Sequence, residues 1–236
     1  MSKNESNKNV VTLISGTVIG QALPIAFAPI LTRLYSPDDF GLFGLYLAFL
    51  GVLGVIATGR YELAVVMPPK KADAYQLVIL SFKIVVLLSF SLSVFVWLLN
   101  DNITILFDNP SIGTWLYWMP LSVFLIGCYQ TLYYWFNREK KFREMATSRV
   151  VQSGFLVSGQ TGIGLLSRLS GGGLIFGHLI GSVVATSYLA RAFCKDTKGA
   201  FKSDAERQKK LAVTYINFPK YMLLANSLNT LSRQLP

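Results

Sequence analysis

Residues 115–136 read WLYWMPLSVFLIGCYQTLYYWF, an apolar run with aromatic residues gathered at both ends. Trp115, Tyr117 and Trp118 open it; Tyr133, Tyr134 and Trp135 close it. Trp and Tyr favour the two membrane–water interfaces, where an amphipathic ring sits at headgroup level. As a helix, the stretch from Trp115 to Trp135 spans about 30 Å, which is one hydrocarbon thickness. This segment therefore reads as a membrane-spanning helix with an aromatic belt at each face.

Five more runs have matching length: Val10–Thr32, Phe40–Thr58, Gln76–Leu99, Ala146–Ser167 and Gly171–Phe193. A helix satisfies its own backbone hydrogen bonds in lipid, so each run is expected to be helical. The first follows Lys3 and Lys8, as a signal peptide would, but it exceeds the 7–15 residues of such a core and more spans follow it. Composition agrees. Of the 236 residues 52% are hydrophobic and 14% charged, against about 25% charged in soluble domains, and the mean hydropathy is +0.46.

Lys and Arg set the orientation. The N-terminal tail and the second, fourth and sixth loops carry eighteen of the 22, and the first, third and fifth loops carry two, Arg33 and Arg168. Lys83 and Arg233 lie inside apolar runs. This alternation predicts six spans with the N-terminus in the cytoplasm. It also accounts for the net charge of +10 and argues against a nucleic-acid partner. The expected organisation is a six-helix lobe over 1–193, a basic cytoplasmic loop over 194–214, and over 215–236 the start of a seventh helix. A chain that ends within such a segment is expected to be a fragment or a truncated reading frame.

Small residues recur on two helices: Gly173, Gly177, Gly181 and Ala185 on the sixth, and Gly41, Gly44, Ala48 and Gly51 on the second. Such stripes let helices approach closely in lipid, so both are read as packing faces. Cys128 and Cys194 make neither a disulfide framework nor a metal site and are read as packing and loop residues.

Ionisable groups inside a membrane are costly and each needs a reason. Lys83, some seven residues into the third span, can snorkel to the inner interface or face a cavity. Arg149, Gln152, Ser153 and Gln160 share one face of the fifth helix, which is expected to line a wet cavity or to bond a neighbouring helix. Asn226, Asn229 and Arg233 form a similar row on the seventh segment. Arg60 and Glu62 follow Gly59 just past the second helix. Residues two apart do not face each other on a helix, so a mutual pair is not expected there. Pro24 and Pro29, with Thr17 and Gln21, can kink the first helix, which fits the bent helices of transporters and an ordinary proline-containing span alike. His178, the only histidine, is read as a packing residue. GxSxG, P-loop, HExxH and CxxC patterns are missing, and carboxylates within the spans are essentially absent. Neither a catalytic group nor a cofactor is expected.

Three segments carry a resemblance: LTRLYSPDDFGLFGLY at Leu31–Tyr46, GRYELAVVMP at Gly59–Pro68 and FPKYMLLANSLNTLSRQLP at Phe218–Pro236. They resemble the polysaccharide (O-antigen) flippases, which share a superfamily with the MATE multidrug exporters and the peptidoglycan-precursor flippases. The resemblance implies an all-α polytopic membrane bundle, one lobe of a two-lobe fold, in the bacterial cytoplasmic membrane. It implies alternating-access flipping of an undecaprenyl-pyrophosphate-linked oligosaccharide for O-antigen, lipopolysaccharide or capsule synthesis. The implied partners are that lipid-linked oligosaccharide, membrane lipids, and polysaccharide polymerase and chain-length proteins. Arginine suits pyrophosphate because it stays charged and bonds in bidentate fashion. Arg33, Arg60, Arg149 and Arg233 are the candidate cations, with Gln21, Gln152, Gln160, Asn226 and Asn229 beside them. The alternatives are a MATE-type drug or cation antiporter, for which this chain shows few carboxylates, an inactive half-length form, a membrane scaffold, and a membrane-embedded glycan enzyme.

Overall fold

A computed structural model describes residues 3–106, 110–166, 172–198, 201–223 and 225–226. Its α-helices are α1 (Lys3–Leu34), α2 (Pro37–Ile56), α3 (Tyr61–Ala64), α4 (Lys71–Leu106), α5 (Pro110–Leu116), α6 (Met119–Arg138), α7 (Phe142–Leu166), α8 (Gly172–Thr197) and α9 (Ala205–Thr214). A π-helical turn covers Phe218–Met222. There is no strand among the described residues.

The long helices are α1, α2, α4, α6, α7 and α8, and all but α7 are apolar enough over their length to cross a membrane. The 25 residues of α7 reach across a bilayer. The polar row of Arg149, Gln152, Ser153 and Gln160 keeps its hydropathy low. Large side chains such as Phe90, Trp97 and Leu98 on α4 lie more than half exposed. On a soluble protein such a surface would aggregate; in a bilayer it is the lipid face.

Three local differences from the sequence reading have physical causes. The aromatic run at 115–136 is not one helix: α5 ends at Leu116, Tyr117 and Trp118 form a turn, and α6 begins at Met119. Pro120 lacks a backbone N–H and belongs in the first turn of a helix, where that N–H has no partner. The 194–214 stretch is not wholly loop, because α8 continues to Thr197 and α9 forms within it. The Asp204 side chain accepts from Arg207 N at 3.1 Å and caps α9. Finally, α4 starts at Lys71, five residues earlier than its apolar run.

By contacts the chain divides into two units. The first holds residues 1–44 and 136–195. Here α1 lies close on α7: a Cβ at Gly16 would stand 2.5 Å from the Ala146 Cβ, and one at Gly20 would stand 3.4 Å from the Arg149 carbonyl oxygen. The stripe on α8 packs on α7 as expected. A Cβ at Gly177 would lie 2.4 Å from Gln160 Cγ, and one at Gly181 would lie 2.6 Å from the Gln152 carbonyl oxygen. Ala185 is fully buried. The Tyr35 ring covers Gly164 and Gly173, its hydroxyl donates to the Gln160 carbonyl at 2.7 Å, and Leu31 and Leu174 pack beside it. Ser36 and Asp39 cap the start of α2 reciprocally. The Asp39 amide donates to Ser36 Oγ at 3.2 Å, and the Asp39 carboxylate accepts from Ser36 N at 2.9 Å.

The second unit holds residues 45–135 and 196–236. A Cβ at Gly127 of α6 would lie 2.7 Å from Val85 of α4, and one at Gly54 of α2 would lie 3.2 Å from Ile126. Tyr46 Oη and Ser122 Oγ, both buried, are 2.6 Å apart. The small-residue stripe on α2 departs from expectation. A Cβ at Gly41 or Gly44 would meet nothing within 4 Å. Small residues permit a close approach without producing one; further along α2, Gly54 is close-packed.

Candidate functional site

In the first unit the site is the face of α7 that carries Arg149. Its neighbour is α1, brought near by Gly16 and Gly20. Arg149 is half-buried, and its Nη1 donates to Thr17 Oγ1 at 3.3 Å. That hydroxyl in turn donates to the Leu13 carbonyl at 2.8 Å, so it meets the guanidinium with its lone pairs. A Cβ at Gly20 would lie 3.4 Å from Ser153 Oγ, and exposed Gln21 follows directly. Thr17 of α1 thus meets Arg149 of α7 directly, and Ser153 lies against Gly20 one turn further along the same contact.

The rest of the row has other work. Gln160 is buried; its Nε2 donates to the Leu174 carbonyl at 3.0 Å and its own carbonyl accepts from Tyr35. Of the two readings open for this face, interhelical hydrogen bonding holds for Gln160. Gln152 lies between, half-buried, with its backbone against Gly181. Arg33 is exposed in the last turn of α1, sixteen residues and about 24 Å along the helix from Thr17, so it does not join Arg149. His178 meets the Phe43 ring edge-on at 6.1 Å, which fits a packing role.

In the second unit the site is the turn between α2 and α4. Gly59 and Arg60 both adopt left-handed backbone, with φ of 58° and 63°. For arginine this is an uncommon conformation that its Cβ disfavours. The turn aims Arg60 back at Glu62, and Arg60 Nη1 lies 3.3 Å from Glu62 Oε1. The pair that helical spacing argued against therefore forms. The helical rule does not apply because Arg60 precedes α3 and is not part of it. Glu62 is fully buried and also accepts from the Thr58 hydroxyl, while Arg60 Nε is buried with no hydrogen-bond partner. Burial pushes the Glu62 carboxyl above the usual carboxylate range, and the bonds from Thr58 and Arg60 pull the other way without cancelling the shift. Tyr134 of α6 lies within electrostatic range of both charges.

Lys83 has a specific partner. Its Nζ donates to Gln208 Oε1 of α9 at 2.7 Å. Long side chains on a helix lean toward its N-terminus, so this is the snorkelling direction. Asn226 is half-buried; Asn229 and Arg233 lie outside the described residues.

Two features escaped the sequence reading. The Gly16–Gly20 spacing on α1 was a visible signal for the close contact with α7. The burial of Glu62 had no such signal, because it follows from a turn whose backbone conformation periodicity does not encode.

Long apolar helices with glycine-packed contacts are the architecture of a polytopic membrane protein. Solved structures agree on the fold. The chain superimposes on "Crystal structure of MATE P26A mutant" with a TM-score of 0.64 at 14% identity, covering 92% of this chain and 53% of that one. It superimposes on "Outward-facing conformation of a multidrug resistance MATE family transporter of the MOP superfamily" with a TM-score of 0.65 at 14% identity, covering 95% and 53%. The chain thus spans about half the length of the solved transporters it resembles. No curated protein matches its sequence significantly. The family model for "Polysaccharide biosynthesis protein" matches residues 30–236, and the chain belongs to that family.

Proposed function

We propose that this chain takes part in flipping an undecaprenyl-pyrophosphate-linked oligosaccharide across the bacterial cytoplasmic membrane, with its N-terminus in the cytoplasm, for surface polysaccharide synthesis such as O-antigen or capsule. The observation that carries the reading is Arg149, a half-buried guanidinium on a membrane helix, in a chain of a polysaccharide biosynthesis family. A permanently charged, planar donor suits a pyrophosphate that must leave water. Thr17 beside it, with Gln21 and Ser153 on the same two helices, offers hydroxyl and amide groups to the sugar end. Arg60 is the second cation, held 3.3 Å from the Glu62 carboxyl. Family membership and a transporter fold both support a transport protein over an enzyme.

The test is the sidedness of the lipid-linked oligosaccharide in cells. Arg149→Ala should lower surface glycan at least about 100-fold, with precursor accumulating on the inner leaflet, while the protein still inserts at normal levels. Removing one charge-assisted bond of this kind costs on the order of 3 kcal/mol. Normal surface glycan from a well-expressed Arg149→Ala protein would sink the assignment.

A second reading, a cation or drug antiporter, has one observation in its favour. Glu62 is a buried carboxylate of the kind a coupling cation uses, and the similar solved structures include a multidrug transporter. Export of a cationic dye that is lost in Glu62→Gln, with unchanged surface glycan, would favour that reading.

A further inference from the structure

The segment after α8 is tied to the start of α4 by a closed set of polar contacts. Gln208 is buried on an otherwise polar helix. Its side-chain oxygen accepts from Lys83, and its nitrogen donates to Gln76 Oε1 and Ser203 Oγ, both at 2.9 Å. Gln76 donates to the Lys202 carbonyl at 2.7 Å and accepts from Asp204 N at 3.1 Å. Arg207 Nε donates to the Asp73 carboxylate at 2.6 Å, and the Tyr61 hydroxyl donates to the Ala212 carbonyl at 3.1 Å. Every polar atom of the Gln76 and Gln208 side chains has a partner, so α9 is held firmly against α4.

Helix α4 also supplies a depth scale. After Lys83, residues 84–100 are uncharged until Asp101. Those seventeen residues rise about 25 Å, close to one hydrocarbon thickness. Lys83 therefore marks the edge of the hydrocarbon, and Gln208, bonded to it, sits at headgroup depth. Lys209 and Lys210 are exposed on α9, and Val213 beyond them is 68% exposed. Exposed Lys202 and Lys220 flank the helix. The acidic groups nearby are largely occupied: Asp73 pairs with Arg207, and Asp204 caps α9. Glu206 is the one carboxylate within the helix.

We infer that α9 is an interfacial helix that binds anionic phospholipid headgroups through Lys209 and Lys210. A basic outer face with an apolar residue beside it is the chemistry by which helices lie at a membrane surface. Anionic headgroups draw lysines at that depth, each worth about fivefold in affinity. The Gln76–Gln208–Lys83 contacts hold the lysines in place, so the lipid meets a built surface and not a loose tail. The inference rests on the membrane fold and is independent of the cargo.

The test is native mass spectrometry of the purified full chain, titrated with phosphatidylglycerol or with phosphatidylcholine. Phosphatidylglycerol should be retained several-fold more than phosphatidylcholine. Charge reversal (K209E/K210E) should lower phosphatidylglycerol retention at least about tenfold and leave phosphatidylcholine unchanged. The neutral pair K209Q/K210Q gives a second reading if the reversed pair fails to fold. Equal retention of the two lipids by the wild type, or no loss in either pair, would overturn the proposal. So would full displacement of phosphatidylglycerol by soluble glycerol phosphate at matched concentration, because the surface would then be a simple anion site.

Discussion

Two arginines mark two ways of holding a cation in this membrane protein. Arg149 stands on a regular helix, with its neighbours fixed by helical spacing and by the glycines of α1 that let Thr17 reach it. Arg60 stands on a left-handed turn whose backbone aims it at a buried carboxylate two residues away. The first donates to a neutral hydroxyl on the neighbouring helix, a contact between two helices of one unit. The second sits 3.3 Å from a buried carboxyl, so its setting changes with the proton on Glu62. The Arg60 turn therefore contains a carboxyl whose proton affinity burial raises, and the pH dependence of that carboxyl can be measured.

The largest effect comes from breaking the contact of α8 with α7, the helix that carries Arg149. Gly177→Leu would set a Cβ 2.4 Å from Gln160 Cγ and 2.5 Å from the Gln160 amide nitrogen, and the backbone cannot yield as a flexible side chain can. Overpacking of a tight contact costs about 1–3 kcal/mol, and a backbone clash falls at or above the top of that range. Loss of folded protein is expected in detergent-solubilised membranes, read by fluorescence-detected size exclusion. Gly44→Ala is the matched control, since nothing lies within 4 Å of its would-be Cβ, and its profile should match the wild type. If both variants fold alike, the α8 stripe does not carry the close contact with α7.

Breaking the frame around Arg60 gives the next largest effect. Glu62→Ala leaves the guanidinium, 15% exposed, without its ion partner and with Nε already unpartnered. Removing one member of a buried pair costs about 3–5 kcal/mol. Access of water to Arg60 lowers that here to about 2 kcal/mol. The thermal midpoint should fall by several degrees. Glu62→Gln, which keeps an acceptor for Thr58 and for Arg60, should fall by less. Equal loss in both variants would mean that the carboxylate charge contributes nothing at this turn.

How far the sequence could be read follows the same division. Helical regularity made the long helices, the α8 stripe and the Arg149 face visible, because each depends on spacing along a straight helix. It also misled on α2, where Gly41 and Gly44 have the spacing of a packing face and no neighbour. The turn at 58–62 was opaque. Two successive left-handed residues turn Arg60 toward Glu62, and no helical period encodes that. Lys83 and α9 lay beyond reach for a different reason. Gln76 and Gln208 are 132 residues apart in sequence, and a polar linker helix has no apolar stripe to announce where it docks.

The smallest effect sharpens the contrast most, because it concerns sign. Burial raises the Glu62 carboxyl above its ordinary value, and the nearby Arg60 and Thr58 lower it without cancelling that shift. A carboxyl whose pKa is higher in the folded state binds its proton more tightly there than in the unfolded chain. Its contribution to stability is then full below the ordinary carboxylate pKa and is lost as pH rises through the raised value. Wild-type protein should therefore lose thermal stability relative to Glu62→Gln across that window, with the two curves parallel on either side of it. Thermal unfolding in detergent, followed upward in pH from the ordinary carboxylate range, reads the difference. If the wild type instead gains stability over Glu62→Gln as pH rises, attraction to Arg60 exceeds the cost of burying the carboxylate. The pair would then be a permanent ion pair, and the difference between the two cations would reduce to backbone geometry and to the group each one meets.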